Sequence, residues 1–196
     1  MNSVMKSKAL EEEINVLKDE KYKNAARNLL ELIPDYFYHV AASSTGKYHP
    51  SFSLGEGGLL RHTKVAFAFG KVLLENPCFG DKYTNREKDL MLFAILFHDS
   101  FKHGLTEEKY TRSDHPLIAS DFIVEHKDEI GINEEDAKFV SDCIKSHMGP
   151  WNTDYYTKEE ILPKPRTKFQ SFVHMCDYLS SKKFLNVLFD GNKIIE

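Results

Sequence analysis

The sequence predicts an all-α fold, and three observations predict it. Apolar residues recur at spacings of three and four along most of the 196 residues. Strand-like alternation is scarce, and Gly- and Pro-bearing segments separate stretches of helical length. A hydrophobic share of 41% is enough to fill one substantial core, so a compact helical bundle with an N-terminal amphipathic helix is expected. It is read as one unit, with a helical segment over 1–42 packed on a core domain over 43–196.

Leu10, Ile14, Leu17, Leu29, Leu30 and Ile33 fall at helical spacing among Glu and Lys before Pro34 interrupts, which predicts one or two amphipathic helices over about 7–33. Residues 43–58, SSTGKYHPSFSLGEGG, read as an ordered loop, and a helix should begin near Leu59. In LLRHTKVAFAFGKVLLE, His62, Ala66, Phe69 and Leu73 share a stripe, while Arg61, Lys64, Lys71 and Glu75 fall opposite and are expected in solvent. His62 therefore faces inward.

The next helix, about Arg86 to His98, contains the run Leu90-Met91-Leu92-Phe93-Ala94-Ile95-Leu96-Phe97. A helix apolar on all sides belongs in the interior, so the imidazole and carboxylate of His98-Asp99 at its end need a hydrogen-bond partner, a counter-charge or a cation. After a polar loop, Ser113 or Asp114 is expected to cap a helix with Pro116 in its first turn, where His115, Ala119 and Phe122 share a face. A helix from about Glu134 puts His147 with Phe139, Val140, Cys143 and Ile144, and Gly149-Pro150 should end it. The last helix, capped by Thr167, carries the stripe Phe169, Phe172, Val173, Cys176, Ser180, Phe184, with Asp177 on its flank.

A formal net charge of -4 disfavours a broad polyanion-binding surface, so long nucleic acid is not an expected partner. Cys78, Cys143 and Cys176 form no C-x-x-C, which points away from a disulfide framework or a thiolate zinc site and toward a reducing compartment. The amino-terminal residues lack the apolar stretch of an export signal, and the longest apolar run stops well short of the roughly 20 residues of a membrane span. A cytoplasmic protein without a membrane partner is expected; periodicity does not fix its oligomeric state.

Inward histidines on four segments plus two acids, with no thiolate, make a donor set suited to Mn, Fe, Ni, Co, Zn or Mg. One divalent ion can be held by His62, His98, Asp99 and Asp177. A second can take His115 and His147 and share Asp99, whose two oxygens can bridge. Taken singly, each histidine is more often a core residue bonded to a carbonyl. Their number reverses that judgement, with His115 deciding between one ion and two.

The order H…HD…H…H…D resembles the HD superfamily of metal-dependent phosphohydrolases, specifically its exoribonuclease-like and phosphodiesterase-like branch. GEGGLLRHT at 55–63 resembles the family's entry helix, LFHDSFKHG at 96–104 its H-D-x-x-K segment, and FVHMCDYLSSK at 172–182 its closing aspartate helix. The chain departs from the family at Phe101, where relatives often carry Gly, and in lacking an arginine after Asp177. The resemblance implies a helical domain with metal ligands His62, His98, Asp99, His115, His147 and Asp177, and catalytic roles for Asp99 and Lys102. It further implies hydrolysis of a phosphoester in a nucleotide or other small phosphorylated substrate by metal-activated water, with Lys102 offering a positive charge to a phosphoryl oxygen. The alternatives are a nucleotide-binding module or sensor without turnover, and a 3'-5' exonuclease-like phosphodiesterase.

Several neighbours carry weaker signals. Lys102 can instead be read as an ordinary solvated loop lysine, and Asp177 can instead pair with Lys182 or Lys183. Lys47 and His49 lie in a loop able to reach a substrate, although most such residues are structural. His103 can donate a proton to a leaving group, whereas exposed loop histidine is the commoner outcome. His126 lies too far along its helix from His115 to share an ion. Trp151, Tyr155 and Tyr156 follow His147 where a base can stack, or where aromatics simply close a helix end.

Overall fold

The computed structural model describes residues 6, 8–47 and 49–195. Among these it is an all-α bundle: α1 (Glu11–Ile14), α2 (Glu20–Leu32), α3 (Gly58–Glu75), α4 (Pro77–Gly80), α5 (Asn85–Phe97), α6 (His115–Glu125), α7 (Lys127–Ile130), α8 (Glu134–Lys145) and α9 (Lys168–Ser180). Two 3-10 turns, Asp35–Tyr38 and Ser51–Ser53, flank the loop before α3, and a short antiparallel hairpin pairs Phe189–Asp190 with Lys193–Ile194. No helix among the described residues is long and apolar enough to cross a membrane.

Helix α5 is the axis of the bundle. It starts at a capping box, in which the Glu87 N–H donates to Thr84 Oγ1 at 3.2 Å and the Thr84 N–H to Glu87 Oε2 at 2.7 Å. Every residue from Leu90 to Phe97 is buried, because α3, α8 and α9 all pack against this helix, with α2 behind it. An element enclosed on all sides has no polar stripe to show, which is why its sequence is apolar throughout. Helix α6 packs on α8 and α9 on α3, so the elements that follow α5 surround its C-terminal end.

Buried acids dock the amino-terminal segment. Asp89 of α5 accepts from the Lys18 N–H at 2.9 Å and the Asp19 N–H at 2.8 Å, just where the chain enters α2. Asp136 of α8 accepts from Lys21 Nζ at 2.6 Å, Arg86 Nη2 at 2.6 Å and the Tyr22 hydroxyl at 3.0 Å. These bonds hold Leu10, Ile14, Leu17, Leu29, Leu30 and Ile33 in the same core as α5.

Of the one or two amino-terminal helices expected, two form, and Asp19 caps the second by accepting from the Lys21 N–H at 2.9 Å; the expected start at residue 7 lies outside the described residues. Helix α8 ends at Lys145 rather than at Gly149-Pro150. Ser146 Oγ donates to the Asp142 carbonyl and the His147 ring to the Ile144 carbonyl, so side chains take acceptors that a further turn would need. Asp114 stands at the N-cap of α6 but caps nothing: Arg112 holds its carboxylate at 2.7 Å, while Ser113 donates to Asp154. Phe184 lies beyond the end of α9 and is exposed, contrary to the expected stripe.

Two outward assignments on α3 are also corrected. Lys64 is buried and paired with Glu13 at 2.8 Å, because α1 covers that face. Arg61 donates through Nε to the Phe52 carbonyl at 2.6 Å and through Nη2 to the Leu54 carbonyl at 2.9 Å, clamping the loop over the start of the helix. Gly58 permits that approach, since a Cβ there would meet the Ser53 carbonyl oxygen at 2.2 Å.

Candidate metal centre

The six candidate ligands are brought together by five elements: α5 itself and the four helices α3, α6, α8 and α9. His62 lies one turn into α3, His98 and Asp99 follow the last residue of α5, and His115 opens α6. His147 follows α8, and Asp177 lies in the last turn of α9. His62, His98, Asp99, His115 and His147 are all buried, while the Asp177 side chain keeps 19% exposure and is the one candidate ligand that reaches solvent.

Local backbone chemistry aims three of the four imidazoles in the same way. The Nδ1–H of His98 donates to the Ile95 carbonyl at 2.7 Å, that of His115 to the Arg112 carbonyl at 2.6 Å, and that of His147 to the Ile144 carbonyl at 2.8 Å. Each acceptor lies three residues back, and for His98 and His147 it belongs to the last turn of a helix, where carbonyls lack intrahelical partners. His62 is fixed by a side chain instead. Ser180 Oγ spends its single hydrogen on the Asp177 carbonyl at 2.7 Å, so the His62 Nδ1–H donates to Ser180 Oγ at 3.2 Å. In the neutral ring, every one of the four Nε2 atoms is then a lone pair directed inward.

Those lone pairs meet carboxylate oxygens, which are acceptors as well. His62 Nε2 is 3.0 Å from Asp177 Oδ1 and 3.6 Å from Asp99 Oδ2; His98 Nε2 is 3.5 Å from both. On the other side of the same carboxylate, Asp99 Oδ1 faces His115 Nε2 at 3.0 Å and His147 Nε2 at 3.6 Å, and the two ring nitrogens are 3.4 Å apart. Among the described residues, His98 Nε2 and Asp99 Oδ1 are buried without a hydrogen-bond partner. Apart from the Lys102 ammonium, which donates to Asp99 Oδ2, the neutral rings and the carboxylates present acceptors to one another, an arrangement that a cation among them would relieve.

The donor set fits a divalent cation. His62, His98 and Asp177 offer ligand atoms within 4.8 Å of one another, as do His98, Asp99 and His147. Imidazole and carboxylate together suit Mn, Fe, Ni, Co, Zn or Mg, and Asp99 turns one oxygen to each histidine pair.

Lys102 is not a solvated loop lysine: it is buried, with Nζ 2.5 Å from Asp99 Oδ2. Burial works to raise the Asp99 carboxyl, but the Lys102 ammonium and His98 hold it well below the usual carboxylate range. Asp177 is likewise held well below that range by His62 and His98 despite burial. Burial pushes His147 down to about 4 and also keeps His62 below its ordinary value. For His98, burial acts downward, yet the adjacent Asp99 and Asp177 prevail and raise it.

His49 is placed edge-on to His62, with ring centroids 5.2 Å apart, and burial pushes it down to about 3. His103 is buried rather than exposed, its Nδ1–H on the Glu108 carbonyl and its ring against Tyr36. His126 stacks on Phe122 and takes no part in the cluster. Asp177 pairs with the histidines, whereas Lys182 lies over the Tyr178 ring. Sequence reasoning missed Ser180 as the partner of His62. Its only signal was a small polar residue on an otherwise apolar stripe.

No family model, curated protein or solved structure matches this chain.

Proposed function

We propose that the chain is a divalent-metal-dependent hydrolase of phosphoester bonds in small phosphorylated substrates. One observation carries the reading: four Nε2 lone pairs are directed at two carboxylates, with His98 Nε2 and Asp99 Oδ1 buried and unpartnered. The H…HD…H…H…D order and its resemblance to the HD superfamily support the same conclusion.

A bound divalent cation supplies Lewis acidity and lowers the pKa of water toward neutrality. The residues of the chain supply the rest. His62, His98 and Asp177 would hold one ion, and His115 and His147 could hold a second, with Asp99 available to either. Backbone carbonyls and Ser180 fix the rings in the tautomer that presents Nε2, so little reorganisation is needed on loading. Lys102 provides a localised positive charge beside Asp99 for a non-bridging phosphoryl oxygen. The partly exposed Asp177 marks the side from which substrate enters.

Release of nitrophenol from p-nitrophenyl phosphate and from bis(p-nitrophenyl) phosphate, measured with Mn, Fe, Ni or Mg, tests the proposal and separates monoester from diester cleavage. The expected result is turnover that chelation abolishes and that Asp99→Ala removes without loss of helical circular dichroism. Metal-independent turnover, or an Asp99→Ala variant as active as the parent, overturns it. Tight phosphate binding with no product makes the chain a binding module instead.

A further inference from the structure

Beside the centre lies an aromatic surface that the chemistry above does not use. Trp151 is the single tryptophan of the chain and is 54% exposed. Its indole stacks on the Tyr178 ring, with centroids 5.3 Å apart and planes inclined by 19°. Lys182 Nζ lies 3.3 Å from the Tyr178 centroid and 5.8 Å from that of Trp151.

The surface is joined to the centre on two sides. Tyr178 directly follows Asp177 in α9, and Trp151 lies four residues after His147. Between them, the His174 Nδ1–H donates to the His147 carbonyl at 2.6 Å, and the His174 ring approaches that of Trp151. Gly149 makes room for this contact, because a Cβ there would meet the His174 ring at 2.3 Å and its φ of +58° suits glycine. Just past Trp151, the buried Asn152 donates to the Leu162 carbonyl at 2.9 Å, and its own carbonyl accepts the Ile161 and Leu162 N–H groups. The indole is thus anchored behind and backed on one face by Tyr178, while the residue keeps 54% of its surface exposed. An anchored, half-open aromatic stack with a cation at its edge has the composition that proteins use to bind nucleobases.

We propose that Trp151, backed by Tyr178 and flanked by Lys182, is the stacking surface for the base of a nucleotide whose phosphate enters the adjacent centre. This rests on the phosphohydrolase reading and makes a nucleotide its substrate class. It assigns Trp151 to specificity rather than to bond cleavage.

Because Trp151 is the only tryptophan, its fluorescence reports on this surface alone. The Mg-loaded protein is titrated with AMP and UMP, and with ribose 5-phosphate and inorganic phosphate as probes lacking a base. Saturable quenching by the nucleotides and not by the other two is expected. By calorimetry, Trp151→Ala should weaken nucleotide affinity about tenfold more than ribose 5-phosphate affinity, and Trp151→Phe should recover most of the loss. Equal affinity for AMP and ribose 5-phosphate, absence of quenching, or an unchanged preference in Trp151→Ala overturns the assignment. Hydrolysis without base preference defeats only the stacking role. Quenching by nucleotides in a protein that holds no metal and hydrolyses nothing defeats only the hydrolase reading.

Discussion

His62 Nε2 stands 3.0 Å from Asp177 Oδ1, and the bond from His62 Nδ1–H to Ser180 leaves that ring nitrogen a lone pair. Two acceptors at this separation, one of them in a fully buried ring, are an unfavourable arrangement unless something positive sits between them or beside them. Ser180 therefore belongs to the candidate centre through His62, although it offers no ligand atom of its own. The same logic extends to His98, His115 and His147, whose donors are turned outward to backbone carbonyls.

Ser180→Ala should weaken divalent metal affinity about tenfold or more, as expected when the partner of a ligating histidine is lost. Calorimetric titration with Mn or Zn measures this. Unchanged affinity would mean that Ser180 does not set the His62 tautomer.

Lys102→Met should lower phosphoester hydrolysis about 100-fold while leaving metal affinity equal or tighter, because the ammonium occupies the same Asp99 oxygen that faces His62 and His98. Steady-state kinetics beside metal titration separates the two effects. A loss of metal binding in this variant would show that Lys102 holds the site together rather than serving the substrate.

Metal affinity should depend on pH through His98. Its pKa is raised from the ordinary 6.5, so a cation must displace a proton, and apparent affinity falls as pH drops through the raised value and levels off above it. In the metal-free protein the same shift stabilises the fold below about pH 6.5, a contribution that fades as pH rises through the folded value. Asp99 and Asp177 act oppositely, stabilising above the usual carboxylate value of 3.8 and losing that effect as pH falls through their lowered values. Titrations between pH 5.5 and 9, a range of about 3.5 units chosen to straddle the histidine value, check the sign; affinity that rises on acidification contradicts it.

Asp136→Ala should cost about 2 kcal/mol of stability, since the Tyr22 hydroxyl loses its acceptor and Lys21 and Arg86 their shared carboxylate. Urea denaturation reads the loss. Metal content per folded chain should stay at the parental value, because this cluster docks the amino-terminal segment and touches no ligand.

Much of this arrangement was legible in the order of residues. The all-α class followed from periodicity, and the burial of α5 from the unbroken run Leu90 to Phe97. The inward turn of His62 and His147 followed from the stripes they share. What escaped were features made by contacts between distant segments. Arg61 and Lys64 look solvent-facing on a helical wheel, yet the loop carbonyls of Phe52 and Leu54 and the carboxylate of Glu13 draw them in. Gly149-Pro150 points to a later end for α8, whereas the Ser146 and His147 side chains take its last acceptors and end it at Lys145. Strand propensity in 189–194 is too short a signal to predict a two-residue pairing.

The most direct test is anomalous diffraction from crystals grown with Mn. The account predicts a density peak bounded by His62, His98, Asp99 and Asp177, and a second at the Asp99 oxygen facing His115 and His147 if the centre is dinuclear. Well-ordered side chains with no anomalous peak among them would contradict it.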